Sequence, residues 1–362
     1  MEVFMKLFVL FVVILALCTG VVPTSYADVP SIGTFSIVAY DSITGELGVA
    51  VESKFLAVGA VVPYAEAGVG AIATQAWGNT TYGPDGLALL KMGISPEQVI
   101  NILTSKDTNR TQRQLGIVDA KGRAAAYTGE DCLYWAGHIV GHHYAVQGNI
   151  LAGEQVVKEM AQAFEQTDGT LAERLLAALE AGQGAGGDRR GRQSAALLVV
   201  RKYGGYSGYN DRYIDLRVDD NPEPIKELKR LFRLHERFFQ ADAHVRFGVE
   251  FLKQGQRAKA EHEFELALAI ADKYPDDANL QNEVAWAFAT NDVRLDDALR
   301  LAKRAVELAP KDANIWDTLG ETYFRRAEYK EAIEAESRAV ELDPQSKLFK
   351  KKLEDWKKKA KE

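Results

Sequence analysis

Residues 34–54 have the sequence TFSIVAYDSITGELGVAVESK, and this stretch decides the fold of the first half of the chain. TFSIVAYD and ELGVAVES are runs of strand length that are rich in β-branched and aromatic residues. Between them SITG, at 42–45, contains a glycine and predicts a hairpin-type turn. The first domain is therefore expected to begin with two paired antiparallel strands.

The same domain continues with strands and helices in blocks. Further strands are predicted over GVGAIATQAW (68–77), RQLGIVDAKGRAAAYTG (113–129, turning at Lys121-Gly122), SAALLVV (194–200) and YIDLRVD (213–219). Capping boxes that begin at Ser95 and Thr170 predict helix starts, and helices are expected over 154–166 and 170–181. Strand pairs that bracket helix pairs favour an antiparallel α+β fold in layers over βαβ units.

The composition limits what the chain can be. Its 362 residues exceed one average domain, so two domains are expected. Hydrophobic residues make up 47% of the chain, which is enough for sizeable cores. The formal net charge of −7 argues against a nucleic-acid partner. Beyond residue 27 Cys132 is the only cysteine, so no intramolecular disulfide is expected there.

Residues 1–27 have the pattern of a signal peptide. Lys6 precedes the apolar run LFVLFVVILALCTG, and Ser25 and Ala27 supply the small residues of a cleavage site. We therefore expect a secreted or periplasmic protein with no stable membrane span after cleavage. An uncleaved membrane anchor is one alternative, and a lipoprotein attached through Cys18 is another.

The composition changes near residue 222, where glycine almost disappears and Ala, Glu, Lys and Leu dominate. An internal repeat follows, and its third copy places Trp316, Leu319, Gly320, Tyr323, Ala332, Ala339 and Pro344 at the spacing of a tetratricopeptide repeat. The sequence resembles these repeats over 241–362, where the final segment LFKKKLEDWKKKAKE predicts a capping helix. Residues 222–240 predict a linker helix. An all-α solenoid of this kind is expected to recruit a protein partner.

A glycine-rich run at 180–200, EAGQGAGGDRRGRQSAALLVV, matches G-x-G-x-x-G between Gly182 and Gly187. A dinucleotide loop needs a strand before it and a helix after it. Here a helix precedes the loop and a strand follows, so the run indicates no dinucleotide site. We expect no cofactor.

Polar residues cluster where the predicted strands of the first domain (28–221) end. The candidate substrate-binding residues are Gln75, Asn79, Gln114, Gln147, Asn149, Asp188, Arg190 and Gln193. The alternative for each amide is a turn or a backbone contact, but the set together favours one cleft. Asp188 either pairs with an arginine of its own loop, or one of the arginines meets a substrate carboxylate.

Three histidines, His138, His142 and His143, lie close together in GHIVGHHY. The first two are four residues apart, a spacing that suits a metal site on a helix. Gly137 and Gly141 interrupt such a helix, so packing or hydrogen bonding to a ligand is favoured and no metal is expected.

Thr34 is the candidate nucleophile. A threonine hydroxyl needs a base, and its own α-amine, with a pKa of about 8, supplies one at neutral pH when the threonine is the first residue. Removal of a signal peptide at Ala27 leaves residues 28–33 in front. A second cut between Gly33 and Thr34 is therefore required. In the alternative, Thr34 is an ordinary residue at the start of a strand.

Several motifs together closely resemble the domain-of-unknown-function 1028 family, which is assigned to the N-terminal nucleophile hydrolases. The motifs are TFSIVAYDSITGELGVAVESK, GAIATQAWGN, RQLGIVD, YTGEDCLYWAG, VQGNILAG, LAERLLAAL, AGGDRRGRQSAALLV and DLRVDD. The resemblance implies an αββα four-layer sandwich, with Thr34 as the nucleophile and Glu52 as a supporting acid. The lysine that proteasome-like chains supply on the next strand has no counterpart here.

Two functional hypotheses follow. In the first, the protein is an exported hydrolase of an amide bond in a peptide, an acylated amino acid or a cell-wall fragment, with Gln75, Asn79 and backbone N–H groups holding the oxyanion. In the second, it is a non-catalytic binding or scaffolding protein of the cell envelope. The first domain then binds a small molecule or a peptide in a degenerate hydrolase cleft, and the repeats recruit a protein partner. Both hypotheses are compatible with a homo-oligomer.

Overall fold

The computed structural model describes residues 33–361. The predicted signal peptide, with Cys18, and the stretch from residue 28 to residue 32 lie outside the described residues. Within the described part, none of the helices has the length and hydrophobicity that crossing a bilayer requires.

Ten strands in this part of the chain form two antiparallel sheets. The strands are β1 (Thr34–Tyr40), β2 (Leu47–Ser53), β3 (Pro63–Glu66), β4 (Gly70–Ala76), β5 (Arg113–Asp119), β6 (Ala124–Thr128), β7 (Trp135–Gly141), β8 (Tyr144–Leu151), β9 (Ser194–Val200) and β10 (Arg212–Val218). The six-stranded sheet has the order β10-β9-β2-β1-β8-β7, and the four-stranded sheet has the order β3-β4-β5-β6. The hairpin predicted from residues 34–54 is present as β1 and β2 at the centre of the larger sheet.

Helices cover the outer faces of the sheets and make up the second half of the chain. The helices are α1 (Tyr82–Lys91), α2 (Pro96–Ser105), α3 (Gln155–Gln166), α4 (Leu171–Gly184), α5 (Pro224–His235), α6 (Ala241–Lys253), α7 (Arg257–Lys273), α8 (Ala278–Thr290), α9 (Leu295–Leu308), α10 (Ala313–Arg325), α11 (Tyr329–Leu342) and α12 (Lys347–Lys359). The capping boxes predicted at Ser95 and Thr170 are both formed.

The first domain is a four-layer αββα sandwich, as expected. Helices α3 and α4 pack on the six-stranded sheet, and α1 and α2 pack on the four-stranded sheet. Alternation along β1 explains the layers, because successive side chains leave opposite faces of a strand. Phe35 and Ile37 belong to the core beneath the helices, whereas Val38 belongs to the core between the sheets.

Four elements were not identified from the sequence: α1, β3, β7 and β8. In β8 the stretch VQGN contains Gly148 and has the appearance of a turn. Helix α1 begins in the stretch TTYGPDG, whose glycines and proline are typical of loops. Strand β3 has four residues, too few for a clear pattern. Strand β7 contains Gly137 and carries His138 in an extended ladder beside β8, so the histidine spacing there is that of a strand.

The C-terminal half consists of helical hairpins that resemble tetratricopeptide repeats. The pairs are α6 with α7, α8 with α9, and α10 with α11, and α12 follows as the cap. Small residues allow close approach: a side chain at Gly248 would collide with Phe264. Trp356 of α12 stacks on Phe324 with ring centroids 4.8 Å apart, which covers the end of the last hairpin.

The two halves share a buried junction. Helix α5 passes into α6 through a π-helical turn at Glu236–Gln240 without a break in the helix. Phe247 of α6 lies in the same hydrophobic core as the six-stranded sheet. Beside it the buried Arg201 pairs with Glu46 at 3.1 Å and with Glu263 of α7 at 2.6 Å. Apolar packing and a buried ion pair therefore join the repeats to the sandwich.

Candidate functional site

Thr34 lies at the first position of β1, in the middle of the larger sheet. Its neighbours across the ladder are Asn149 on β8 and, on β2, Ser53, because Phe35 lies opposite Glu52. The Thr34 hydroxyl donates a hydrogen bond to the Ser53 hydroxyl at 3.1 Å. With residue 33 still attached, the side chain is fully buried between the two sheets.

The peptide carbonyl immediately before Thr34 is held by two donors. The Gly33 oxygen accepts hydrogen bonds from the Ser53 hydroxyl and from the Arg190 guanidinium, the latter at 2.8 Å. Donors on a carbonyl oxygen draw electron density from its carbon and stabilise negative charge on the oxygen. A Cβ atom at position 33 would lie only 2.8 Å from the Ile150 Cβ, so glycine is required for this fit.

Arg190 is fixed by the buried carboxylate of Asp188. Its Nε and Nη2 atoms lie 3.0 Å and 2.5 Å from the two carboxylate oxygens, in a bidentate pairing. The backbone N–H of Lys54 also donates to Asp188, at 3.0 Å. Of the two predicted alternatives for Asp188, the structure has the pairing within its own loop. Arg192 instead pairs with Glu223 at the surface.

Four of the six predicted amides converge beside Thr34. Gln75 donates to the Gln114 side-chain oxygen at 2.8 Å and to the Thr34 carbonyl at 3.2 Å. Asn149 donates to the same Gln114 oxygen at 3.0 Å. Gln147 reaches the layer through the Ser36 hydroxyl, which bonds Gln75 in turn. All of these side chains are buried, so the network connects the two sheets and holds the start of β1 in place.

The other two amides lie elsewhere. The Asn79 side chain accepts hydrogen bonds from the Thr81 N–H and hydroxyl, at 3.1 Å and 3.0 Å, in the turn before α1. Gln193 donates to Asp220 at 3.1 Å on the surface. Neither side chain bonds to the network. Asn79 makes the turn contact that was the alternative to a binding role, and Gln193 bonds another surface side chain.

Glu52 leaves the opposite face of the sheet from Thr34, because it lies across from Phe35. Neither carboxylate oxygen has a hydrogen-bond partner in the described part of the chain. Burial, reinforced by the neighbouring Asp188 charge, raises the pKa of Glu52 well above its usual value. Burial therefore favours the protonated form of this side chain, which makes no hydrogen bond to Thr34.

Residues 34–228 match a family described as a family of unknown function, DUF1028. The chain belongs to this family. The crystal structure of protein SPO2555 from Silicibacter pomeroyi, of the DUF1028 family, is 36% identical, with 56% of this chain and 88% of that protein covered and a TM-score of 0.51. No curated protein matches the chain.

Solved structures also match outside the DUF1028 domain. The Sgt2 tetratricopeptide domain from Aspergillus fumigatus is 27% identical over 33% of this chain and 79% of that domain, with a TM-score of 0.26. The first such domain of Spaghetti (RPAP3), solved with an HSP90 peptide, is 20% identical over 34% of this chain and 94% of that domain, with a TM-score of 0.27.

The histidines of the DUF1028 domain do not gather around one point. His138 Nδ1 lies 2.8 Å from the Thr128 hydroxyl, which also accepts a hydrogen bond from Gln114, so this histidine adjoins the outer end of the amide network. His142 and His143 stack with ring centroids 3.7 Å apart in the turn between β7 and β8. Among residues 33–361 no three His, Cys, Asp or Glu side chains are grouped as metal ligands.

Sequence reasoning missed Ser53 and Ser36, the two hydroxyls of the DUF1028 site. A signal for Ser53 was present in the hairpin itself. A turn centred on residues 43 and 44 makes the numbers of paired residues sum to 87, so Thr34 falls opposite Ser53. The role of Ser36 depends on the partner sheet, which the hairpin does not specify.

Proposed function

We propose that the DUF1028 domain is a self-processing hydrolase of amide bonds, with Thr34 as its N-terminal nucleophile. The observation that supports this most directly is the Gly33 carbonyl, which is held by Ser53 and Arg190 beside the Thr34 hydroxyl. A peptide bond polarised next to a hydroxyl is the arrangement that attack by that hydroxyl requires.

The processing step needs no cofactor, because every bond that breaks is matched by one that forms. The Thr34 hydroxyl oxygen adds to the Gly33 carbonyl carbon, and negative charge on the carbonyl oxygen is stabilised by Arg190 and Ser53. The hydroxyl proton passes to the amide nitrogen, the C–N bond breaks and an ester remains. Water then hydrolyses the ester, which leaves a carboxylate on Gly33 and a free α-amine on Thr34.

The processed domain would act on other amides with the same groups. The new α-amine, with a pKa of about 8, accepts the hydroxyl proton during attack. Departure of Gly33 frees the Ser53 and Arg190 donors for the carbonyl oxygen of a substrate. The substrate class is a peptide, an acylated amino acid or a cell-wall-derived amide. The proposal includes export of the protein, because the sequence predicts a signal peptide.

Burial of Thr34 makes processing a precondition for turnover. In the intact chain the hydroxyl is inaccessible, so an external amide cannot reach it. Glu52 would support the site in its protonated form, because without its charge it does not repel the Asp188 carboxylate that orients Arg190.

A second candidate function is the recruitment of a protein partner by the repeats, with the sandwich as a non-catalytic domain. The observation that favours it is an open groove beside α6 and α8, the first helices of two neighbouring hairpins, which carries exposed aromatic side chains.

One experiment separates the two functions. The full-length protein is expressed and purified, and its N-terminus is determined by mass and by sequencing. Hydrolysis predicts a mature chain that begins at Thr34 and cleaves members of an amide panel. A Thr34→Ala chain should fold but keep the residues in front and show no turnover. A chain that begins at Asp28 and cleaves nothing would support recruitment, and one that retains Gly33 yet cleaves amides would overturn the mechanism.

A further inference from the structure

The open groove beside α6 and α8 is a large cavity that lies where the repeats meet the sandwich. Its volume is about 910 Å³, and its walls come from the loop between β9 and β10, from the π-helical turn, and from α6 and α8. None of the residues around Thr34 lines it. The cavity is therefore a second candidate binding region, built by both halves of the chain.

Aromatic side chains form much of this wall and stand open to solvent. Tyr206 is 75% exposed, Phe238 53%, Phe239 49% and Trp286 38%. Aromatic side chains concentrated at the surface around one concavity are typical of sites that bind a partner.

The charged residues of the wall are paired with one exception. Arg212 pairs with Asp215 at 2.5 Å, and Arg246 pairs with Asp242 at 2.9 Å. Glu283 makes no hydrogen bond or ion pair with any described residue, and burial together with the nearby carboxylates of Asp242 and Asp277 raises its pKa.

His235, which also lines the wall, adds no positive charge near neutral pH, because burial lowers its pKa to about 4. The wall thus has one carboxylate without a counterion, Glu283, on the same helix as Trp286 and one turn before it.

Next to the cavity, the chain already holds one of its own lysines between a tryptophan ring and carboxylates. The Lys352 ammonium of α12 lies 4.8 Å from the centroid of the Trp286 ring. It pairs with Asp317 at 2.7 Å and with Glu321 at 3.2 Å. An ammonium group between a tryptophan face and carboxylates is thus an arrangement that these helices accommodate.

We propose that this groove binds a segment of a partner protein that carries a lysine between aromatic or large apolar residues. The ammonium group pairs with Glu283, and the flanking apolar side chains pack on Tyr206, Phe238 and Phe239. An acidic segment is disfavoured, because the unpaired Glu283 carboxylate repels it. The inference names the partner chemistry of the recruitment role proposed above and rests on that role, but it does not depend on hydrolysis by Thr34.

The test uses the full chain and two short peptides with blocked termini. One peptide alternates phenylalanine with lysine, and the other alternates phenylalanine with glutamate. Titration calorimetry at low ionic strength should show binding of the lysine peptide with a Kd below about 1 mM. The glutamate peptide should bind at least about tenfold more weakly, and added salt should reduce the difference.

Two variants with matched controls locate the binding. Glu283→Gln should weaken binding of the lysine peptide about tenfold, whereas Glu334→Gln, at an exposed position on α11, should not change it. Tyr206→Ser should weaken binding severalfold. Tyr209→Ser should not, because Tyr209 is 86% exposed on the same loop but does not line the cavity.

The proposal is overturned if the lysine peptide fails to bind, if the glutamate peptide binds as well, or if Glu283→Gln and Tyr206→Ser have no more effect than their controls. These outcomes leave the hydrolase proposal intact, since the N-terminal mass and amide turnover decide it separately. The chosen variants change exposed side chains, so loss of folding does not obscure the result.

Discussion

The surroundings of Thr34 and the groove at the repeats differ in how their polar groups are used. Around Thr34 the amides and hydroxyls are buried and bonded to one another, and the residue in front of the threonine fills the remaining donors. In the groove, aromatic rings face solvent and Glu283 has no counterion among the described residues. Under the two proposals above, the first region must be changed chemically before it acts on another molecule, whereas the second binds a partner as it stands.

The largest effect is expected from a substitution that weakens the junction between the repeats and the sandwich. Arg201→Ala leaves the buried carboxylates of Glu46 and Glu263 without their shared cation, which should destabilise the protein by about 3–5 kcal/mol. Urea unfolding followed by both tryptophan fluorescence and circular dichroism should then show two transitions in place of one.

The control for this experiment is Arg338→Ala, which removes an exposed partner of Glu341 and should change the free energy of unfolding by less than about 1 kcal/mol. A single transition at an unchanged midpoint in Arg201→Ala would show that the ion pair does not hold the two halves together.

A smaller effect tests whether the amides act as one network. Gln114→Leu removes the acceptor of Gln75 and Asn149 and leaves those buried donors without it, at a cost of about 2–4 kcal/mol in the free energy of unfolding. The same experiment should show slower release of the segment before Thr34, because Gln75 also holds the Thr34 carbonyl. Equilibrium unfolding and N-terminal mass against time measure the two effects.

Gln193→Leu is the matched control, since that amide bonds only to Asp220 at the surface. It should change stability by less than about 0.5 kcal/mol. Equal effects of the two substitutions would contradict a distinction between the buried network and the surface amides.

The smallest expected effect concerns Glu52 and depends on pH. Its pKa is raised in the folded protein, so folding favours the protonated form. The stability that this carboxyl contributes is full below its unfolded pKa of about 4.3 and falls as pH rises toward the folded value. Glu52→Gln, which stays neutral, should therefore gain stability relative to the natural protein as pH rises from 4 to 8.

Urea midpoints of the Glu52→Gln and natural proteins across this pH range measure the difference, and Glu334→Gln provides the baseline for loss of an exposed carboxylate. A difference between Glu52→Gln and the natural protein that stays constant with pH would mean that folding does not raise the pKa of Glu52.

The order of strands and helices predicted a layered α+β fold, and the family resemblance implied its αββα arrangement. The central hairpin and most of the amides could be predicted from patterns within single segments. The hairpin is predicted by residues 34–54, and Gln75 and Gln114 are predicted as polar residues where strands end. What the sequence did not separate was Gln114 from Gln193, since whether an amide faces the space between the sheets depends on strand register and on the partner sheet.

The groove could not be predicted from the sequence, because it also depends on how distant segments pack together. Tyr206, Phe238 and Trp286 come from a loop, a helical turn and a repeat helix that are far apart in the chain. They meet only because α6 packs on the sandwich, and nothing within the individual segments specifies that packing. Glu283 likewise has the appearance of an ordinary surface residue of a repeat until its neighbours are known.

The continuous helix that runs from α5 through the π-helical turn into α6 has a consequence for how this protein family can be recombined. Each residue in an α-helix turns the chain by about 100°, so inserting one residue into α5 would rotate α6 and all the hairpins behind it about the axis of α5. Trp286 and Tyr206 would then no longer line one groove. Transplanting these repeats onto another DUF1028 domain therefore demands conservation of the residue count in the connecting helix, because that count sets the angle at which the groove forms.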